Sequence, residues 1–284
     1  MQKQVILSAD SPAEMPEHVK RQLDLQTVPL YVNMKDRSLR DGVDVSAEDV
    51  FEFYAKEKSV PSTAAVPVGD YEAHFARISE GGTRAVVHFC IGNLISSSYS
   101  NACIAARECA DICVVDSGSM SVGMSLQLLH AHGMRAQGLS AADIAAEAES
   151  YRQRVRTTLL LGSLAFLRKS GRCSAVSALG ANLLGIRPVV QMPNGQGVGI
   201  YKKLRGRPAL VQAQYIDDLL AQPEKIDNTV AFLYHTGMPL EDFYAAEDYV
   251  RSFGIFKEIH TGQAGAVTCT HVGERCLALM FAYK

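Results

Sequence analysis

The sequence predicts an α/β chain of two domains: a parallel-sheet α/β domain over residues 1–156 and an α+β domain over residues 157–284. Short apolar runs alternate with helical patterns through the first half, the order that builds a parallel sheet covered on both faces. In the second half RPVVQM and GVGIYKKL flank a turn at Asn194-Gly195, a hairpin pattern that breaks the alternation. A length of 284 residues suffices for two ordinary domains with a sizeable buried core.

In chain order, strands are expected at QVILSA from Gln4, TVPLYV from Thr27, AVVHFC from Ala85 and ICVVDS from Ile112. Helices are expected from Glu14 to Leu25, Ala47 to Lys56, Asp70 to Glu80, Ser97 to Ala110, Ser121 to Gln137 and Ala141 to Arg156. Ser46 can cap the helix that starts AEDVFEFY, with Asp49 in its first turn. Asp10, Ser11 and Pro12 predict a cap and turn. After LLLGSLAFLRKSGR and the hairpin come strands NTVAFLYH, GIFKEIH and CLALMFAY, separated by helices from Arg207 to Leu220 and Leu240 to Phe253. Ligands of such sheets sit beyond strand ends. Attention therefore falls on Asp10-Ser11, the stretch after Cys90, and Asp116-Ser117.

Composition narrows the function. The chain is 48% hydrophobic and 20% charged, near the globular average, and its net charge of -2 provides no basic field for nucleic acid. No apolar run reaches the roughly 18 to 20 residues that span a bilayer. The opening MQKQVILSADSP turns polar too soon for a secretory signal, so a cytoplasmic location is expected, with at most transient membrane contact. Seven cysteines, an odd number without a C-x-x-C pair, read as small buried hydrophobes in a reducing compartment.

Local motifs exclude common chemistries. GQGVG at Gly195 to Gly199 precedes a strand-like IYKKL, so it reads as a hairpin and not as a dinucleotide loop. A Walker loop, H-E-x-x-H and G-x-S-x-G are absent, and the eight histidines show no close ligand spacing, so no cofactor or metal is expected. What remains is rich in hydroxyls. Ser96, Ser97 and Ser98 follow an apolar run and open a helix. They can cap it, and the same free N–H groups and hydroxyls can hold an anion. His271 stands alone in TCTHVGE, and Lys202, Lys203, Arg205 and Arg207 form a short basic cluster.

Taken together these stretches resemble the DegV family over nearly the whole length. VILSADSPAEMP is similar to the family's T-D-S-x-A-D-L-P start, with Ala9 for the first Thr. VPLYV and RDGVDVSAEDVFEFY resemble its V-P-L strand and Y-x-D-G-x-D helix start. Thr63-Ala64-Ala65-Val66 keeps only the first residue of T-S-Q-P, and Ile95 to Tyr99 keeps the serine and tyrosine of L-S-G-T-Y, with Ser97 in place of glycine. VVDSGSMSVG, FLRKSGRCSAVSALGANLLGIRPV, LRGRPAL and THVGERCLAL resemble later family segments, the last with Glu274 and Arg275 for P-G.

The resemblance implies two domains with a long-chain fatty acid buried between them. It also implies a non-catalytic role: presenting the acyl carboxylate to a separate ATP-dependent kinase subunit that makes acyl phosphate. It assigns Ser96, with Ser97 beside it, Thr63 and His271 to the carboxylate, and Arg205 and Arg172 to docking of the kinase subunit. The rival readings are a Ser/His hydrolase of lipid esters, using Ser96, His271 and Asp10 or Asp116, and a lipid-responsive regulator without a kinase partner.

Overall fold

Two runs with no exposed residue organise the first half of the computed structural model, which describes residues 3–172, 185–193 and 197–284. They are strands β1 (Val5–Asp10) and β6 (Ala85–Cys90), paired in parallel and buried at every position. Successive side chains of a strand face opposite sides, so burial at every position means that both faces are covered. β2 (Gln26–Val28) and β7 (Ile112–Asp116) complete a parallel sheet of order β2-β1-β6-β7. Helices α3 (Val68–Ser79), α4 (Ser98–Ala106), α5 (Val122–Ala136) and α6 (Ala141–Tyr151) pack on it.

Polar residues at the centre of this core pair with one another. Ser8 Oγ lies 2.8 Å from His74 Nε2 and 2.9 Å from His88 Nδ1, and His88 Nε2 lies 3.2 Å from Asp10 Oδ1. Asp10 also accepts from Tyr71 Oη at 2.5 Å and from the Ile91 amide at 2.9 Å. Burial pushes the His74 pKa down to about 3, because charging the ring there has no compensating partner.

The expected strand TVPLYV divides. Pro29 has no N–H to give a ladder, and the chain leaves the parallel sheet at β2 and enters a small antiparallel one, β4-β3-β5. Its strands are β3 (Tyr31–Met34), β4 (Arg37–Arg40) and β5 (Ser62–Ala64). α1 spans Glu17–Leu23, shorter than expected and starting after Pro16. α2 (Ala47–Glu57) carries the predicted cap as a full capping box between Ser46 and Asp49.

The second half is built on a mixed sheet of order β11-β10-β9-β14-β12-β13, with β8 also on β14. Its strands are β8 (Val155–Arg156), β9 (Thr158–Leu160), β10 (Ile186–Gln191), β11 (Gly199–Arg205), β12 (Ile226–Thr236), β13 (Glu258–Gln263) and β14 (Cys276–Tyr283). The expected helix to Arg156 ends at Tyr151, and Val155–Arg156 is already a strand of this sheet. β10 and β11 pair antiparallel as the hairpin pattern predicts, while the Asn194-Gly195 turn lies outside the described residues.

Alternation in this sheet separates two cores. Leu277, Leu279 and Phe281 of β14 join Ala231 and Leu233 of β12 under helices α8 (Pro208–Leu220) and α9 (Leu240–Ser252). Cys276, Ala278, Met280 and Ala282, with Phe232 and Tyr234, face the other way and merge with the core of the first half. α7 (Ala165–Ser170) and α10 (Ala266–Val272) stand on this second side, where Phe166, Leu167, Val267 and Val272 join the same core. The six described cysteines are free, three of them buried, and Cys173 lies outside the described residues. Among the described residues no helix is long and apolar enough to cross a membrane.

Candidate functional site

The face of the mixed sheet that turns toward the first half does not pack solid. A cavity opens there, with about 810 Å³ of space free of protein atoms, open solvent at its mouth included. The mixed sheet contributes Leu159 and Val190, with Met192 just past β10, and the loops beyond the parallel sheet contribute Ile91, Ile95 and Met120. Leu30, Ala65, Leu167, Val198, Val267 and Val272 close the apolar wall. The polar lining residues are Thr63, Ser96, Ser97, Thr268, His271 and Arg172.

The serines are placed by their loop. Asp10 Oδ2 holds the Ile91 amide, Asp116 Oδ1 accepts from Asn93 N and Gly118 N at 3.0 Å, and Gly92 N donates to Ser119 O at 2.8 Å. A Cβ at Gly92 would stand 3.1 Å from Ser119 N, so a larger residue would push the two strand-end loops apart by a few tenths of an ångström. α4 starts after this loop. Ser97 at the cap position makes no side-chain cap bond, contrary to the simplest expectation; instead Ser96 Oγ accepts from Ser98 N at 3.2 Å and lies 2.9 Å from Ser98 Oγ. The Ser98 N–H donates to the Ser96 hydroxyl, and either hydroxyl of the Ser96–Ser98 pair can donate to the other.

Across the cavity, Thr63 Oγ1 on β5 lies 2.8 Å from His271 Nε2 on α10. Burial, reinforced by the nearby Arg172 guanidinium, lowers the His271 pKa to about 4, so the ring is neutral at ordinary pH. Its buried Nδ1 has no hydrogen-bond partner among the described residues. If Nε2 carries the ring proton, Thr63 accepts from it and can donate its own proton into the cavity. Arg172 is exposed at the rim, bonded to Ser170 O at 2.5 Å, and it supplies a positive charge there.

Four of the sequence-predicted residues, Thr63, Ser96, Ser97 and His271, thus line one cavity, and Arg172 joins them although the sequence pointed it toward docking. Arg205 does not line it; it is exposed on β11, the edge strand of the mixed sheet. The hydrolytic triad is not assembled. Asp10 bonds Tyr71, His88 and Ile91, Asp116 bonds Asn93, Gly118 and Arg152, and among the described residues neither acid reaches His271. Asp10, His88 and Cys90 do offer ligand atoms within 4.8 Å of one another, but the Asp10 carboxylate already serves the buried network.

Sequence reasoning missed Met120, Thr268 and the apolar wall, along with two buried acids behind α10. Glu14 accepts from Gly265 N at 2.7 Å and from Ser121 Oγ, and Asp41 accepts from Val267 N at 3.2 Å and Ser11 Oγ at 2.6 Å. The D-S-x-A-E spacing from the end of β1 was visible, but the partners of Glu14 lie more than a hundred residues away.

The chain matches the model of the family described as "Uncharacterised protein, DegV family" over residues 4–284. It is 27% identical to a DegV domain-containing protein of Clostridium perfringens over 96% of both chains, and 24% identical to the protein DegV of Bacillus subtilis over 99% of both. Among solved structures it is similar to a stearic acid-binding protein from Eubacterium ventriosum, with TM-score 0.85 and 26% identity, covering 100% of this chain and 99% of that one. A fatty acid-binding DegV family protein from Thermus thermophilus shares the fold at TM-score 0.89 and 23% identity, covering 99% of this chain and 100% of that one.

Proposed function

The chain belongs to the DegV family, and from that membership and the cavity we propose that it binds one long-chain fatty acid. The observation that carries this is a cavity with a largely apolar wall that also holds Thr63, Ser96 and His271. A carboxylate taken from water needs hydrogen-bond donors or its burial is strongly disfavoured. Ser96 and Thr63 present hydroxyls to the cavity, and the Arg172 charge stands at the rim. The tail contributes about 0.8 kcal/mol per methylene, so a chain of roughly 16 carbons gains on the order of 10 kcal/mol before ordering costs. Named relatives of the same fold are described with stearic and heptadecanoic acids, which supports this ligand class.

We further propose that the bound carboxylate is presented to a separate kinase subunit and that this chain carries no catalysis of its own. Arg205 is exposed and, among the described residues, makes no ion pair, which leaves it free to dock an acidic or phosphorylated partner surface. The proposed division into two domains near Arg156 is supported by the start of the mixed sheet at Val155.

The test is native mass spectrometry of protein purified from cells. One fatty acid per chain is the expected result. Only apo protein, even after incubation with C16 and C18 acids, would sink the reading.

A further inference from the structure

We propose that Glu14 is a positioning residue for the carboxylate site: buried on the far side of α10, it clasps the two walls of the cavity in register. This rests on the fatty-acid reading for the identity of the ligand. Glu14 follows the turn after β1 and reaches both halves of the molecule. One carboxylate oxygen accepts from Gly265 N, the residue before α10, and the other from Ser121 Oγ, the residue before α5.

Each partner leads directly to the cavity. Gly265 opens α10, which carries Val267, Thr268 and His271 in the lining, and Ser121 follows the lining residue Met120. Asp41 strengthens the first grip by accepting from Val267 N, and Ser11, which donates to Asp41, ties that acid to the same turn as Glu14. A helix of seven residues has little hold on its own register. α10 packs on α2, α7, β3 and β5, and its amide end is fixed by these two acids.

Two further observations fit a positioning role. Ser121 is held at φ 54 and ψ -138, a conformation costly for any residue but glycine, and its hydroxyl bond to Glu14 is one of the contacts that keep it there. The acid itself is held at a cost: burial, with a smaller push from Asp41, raises the Glu14 pKa to about 7 against the pull of Ser121, Thr268 and Gly265. A group kept where its charge is disfavoured, beside Tyr234, Cys269 and the Lys20-flanked Asp41, makes a poor packing residue. A leucine would fill the same space without that cost.

The experiment compares Glu14→Leu and Glu14→Gln with the parent by two readouts. The first is dissociation of cis-parinaric acid followed by fluorescence. The second is amide hydrogen exchange in lipid-free protein. In Glu14→Leu, dissociation is expected to be at least tenfold faster, with exchange at Gly265 and Val267 at least tenfold faster. Glutamine can still accept from Gly265 N and meet the Ser121 hydroxyl, so Glu14→Gln should keep dissociation within about threefold of the parent and exchange no faster than the parent. Unchanged exchange in Glu14→Leu overturns the clasp, and faster exchange with parental dissociation overturns its role in binding. A parent that never binds cis-parinaric acid defeats the fatty-acid reading alone, because the exchange arm still tests the clasp. Should Glu14→Leu lack a cooperative thermal transition, Ser121→Ala cuts one arm only. Exchange and dissociation about threefold faster than the parent then support the clasp, and parental values overturn it.

Discussion

At position 96 one hydroxyl serves both a turn and the cavity. It accepts from Ser98 N and lines the space where the carboxylate is proposed to sit. Losing a hydrogen bond to a charged group costs roughly 1.5 to 3 kcal/mol, so Ser96→Ala is expected to weaken fatty-acid binding by about tenfold or more while the fold persists. His271→Ala should act in the same direction, because it releases Thr63 from its 2.8 Å contact. Fluorescent fatty-acid titration beside a thermal melt separates the roles. Parental affinity in both variants would end the carboxylate assignment, and a fallen Tm with parental affinity would leave Ser96 to the turn alone. The residue types were legible in the sequence. That Ser96 and not Ser97 meets the helix amide was not, because it depends on the backbone path set by Asp10, Asp116 and Gly92.

Among elements, β11 combines exposure with charge. It is the outer strand of the mixed sheet, Lys202 pairs with Asp218 at 2.6 Å, and Arg205 stands exposed at its end. Arg205→Ala is expected to leave lipid binding and Tm unchanged within about 1 kcal/mol and to raise the half-saturating concentration of the kinase subunit. Titration of that subunit against lipid-loaded parent and variant decides the matter, and equal half-saturation would remove Arg205 from docking. Elements differed in how well they could be read. β1, β6 and β14 are mostly apolar runs, and such runs announce buried strands. α10 escaped notice because Ala266 to Thr270 are all buried, and a helix covered all round shows no apolar stripe. β4, RSLR, is a short strand largely exposed to solvent and has no alternation to detect.

For the whole molecule, two buried groups titrate in opposite senses. Glu14 has its folded pKa raised from 4.5 to about 7, so its contribution is fully present below 4.5 and is lost as pH rises through 7. His271 has its pKa lowered from 6.5 to about 4, so stability is present above 6.5 and is lost as pH falls through 4. Glu14→Gln removes the first term only. Relative to the parent, the variant is expected to gain on the order of 3 kcal/mol between pH 5 and pH 8. Thermal melts at the two pH values check this, and a constant difference would mean that the Glu14 carboxyl is not raised.

By itself the sequence determined the strands that are mostly apolar, the helices with a capped start or an amphipathic stripe, the family, and the residue types able to hold a carboxylate. These are local or pattern properties, written in neighbouring residues. The tertiary structure alone decided which residues meet. The Thr63–His271 contact spans 208 positions and the Glu14–Gly265 contact 251. The cavity exists because one face of the mixed sheet turns toward the loops beyond the parallel sheet, and alternation along β9 and β10 sends Leu159 and Val190 to that face while Leu160 and Val189 go to the other core. A period of two tells which residues share a face. It does not tell what the face will meet, since that is set by how separate sheets pack.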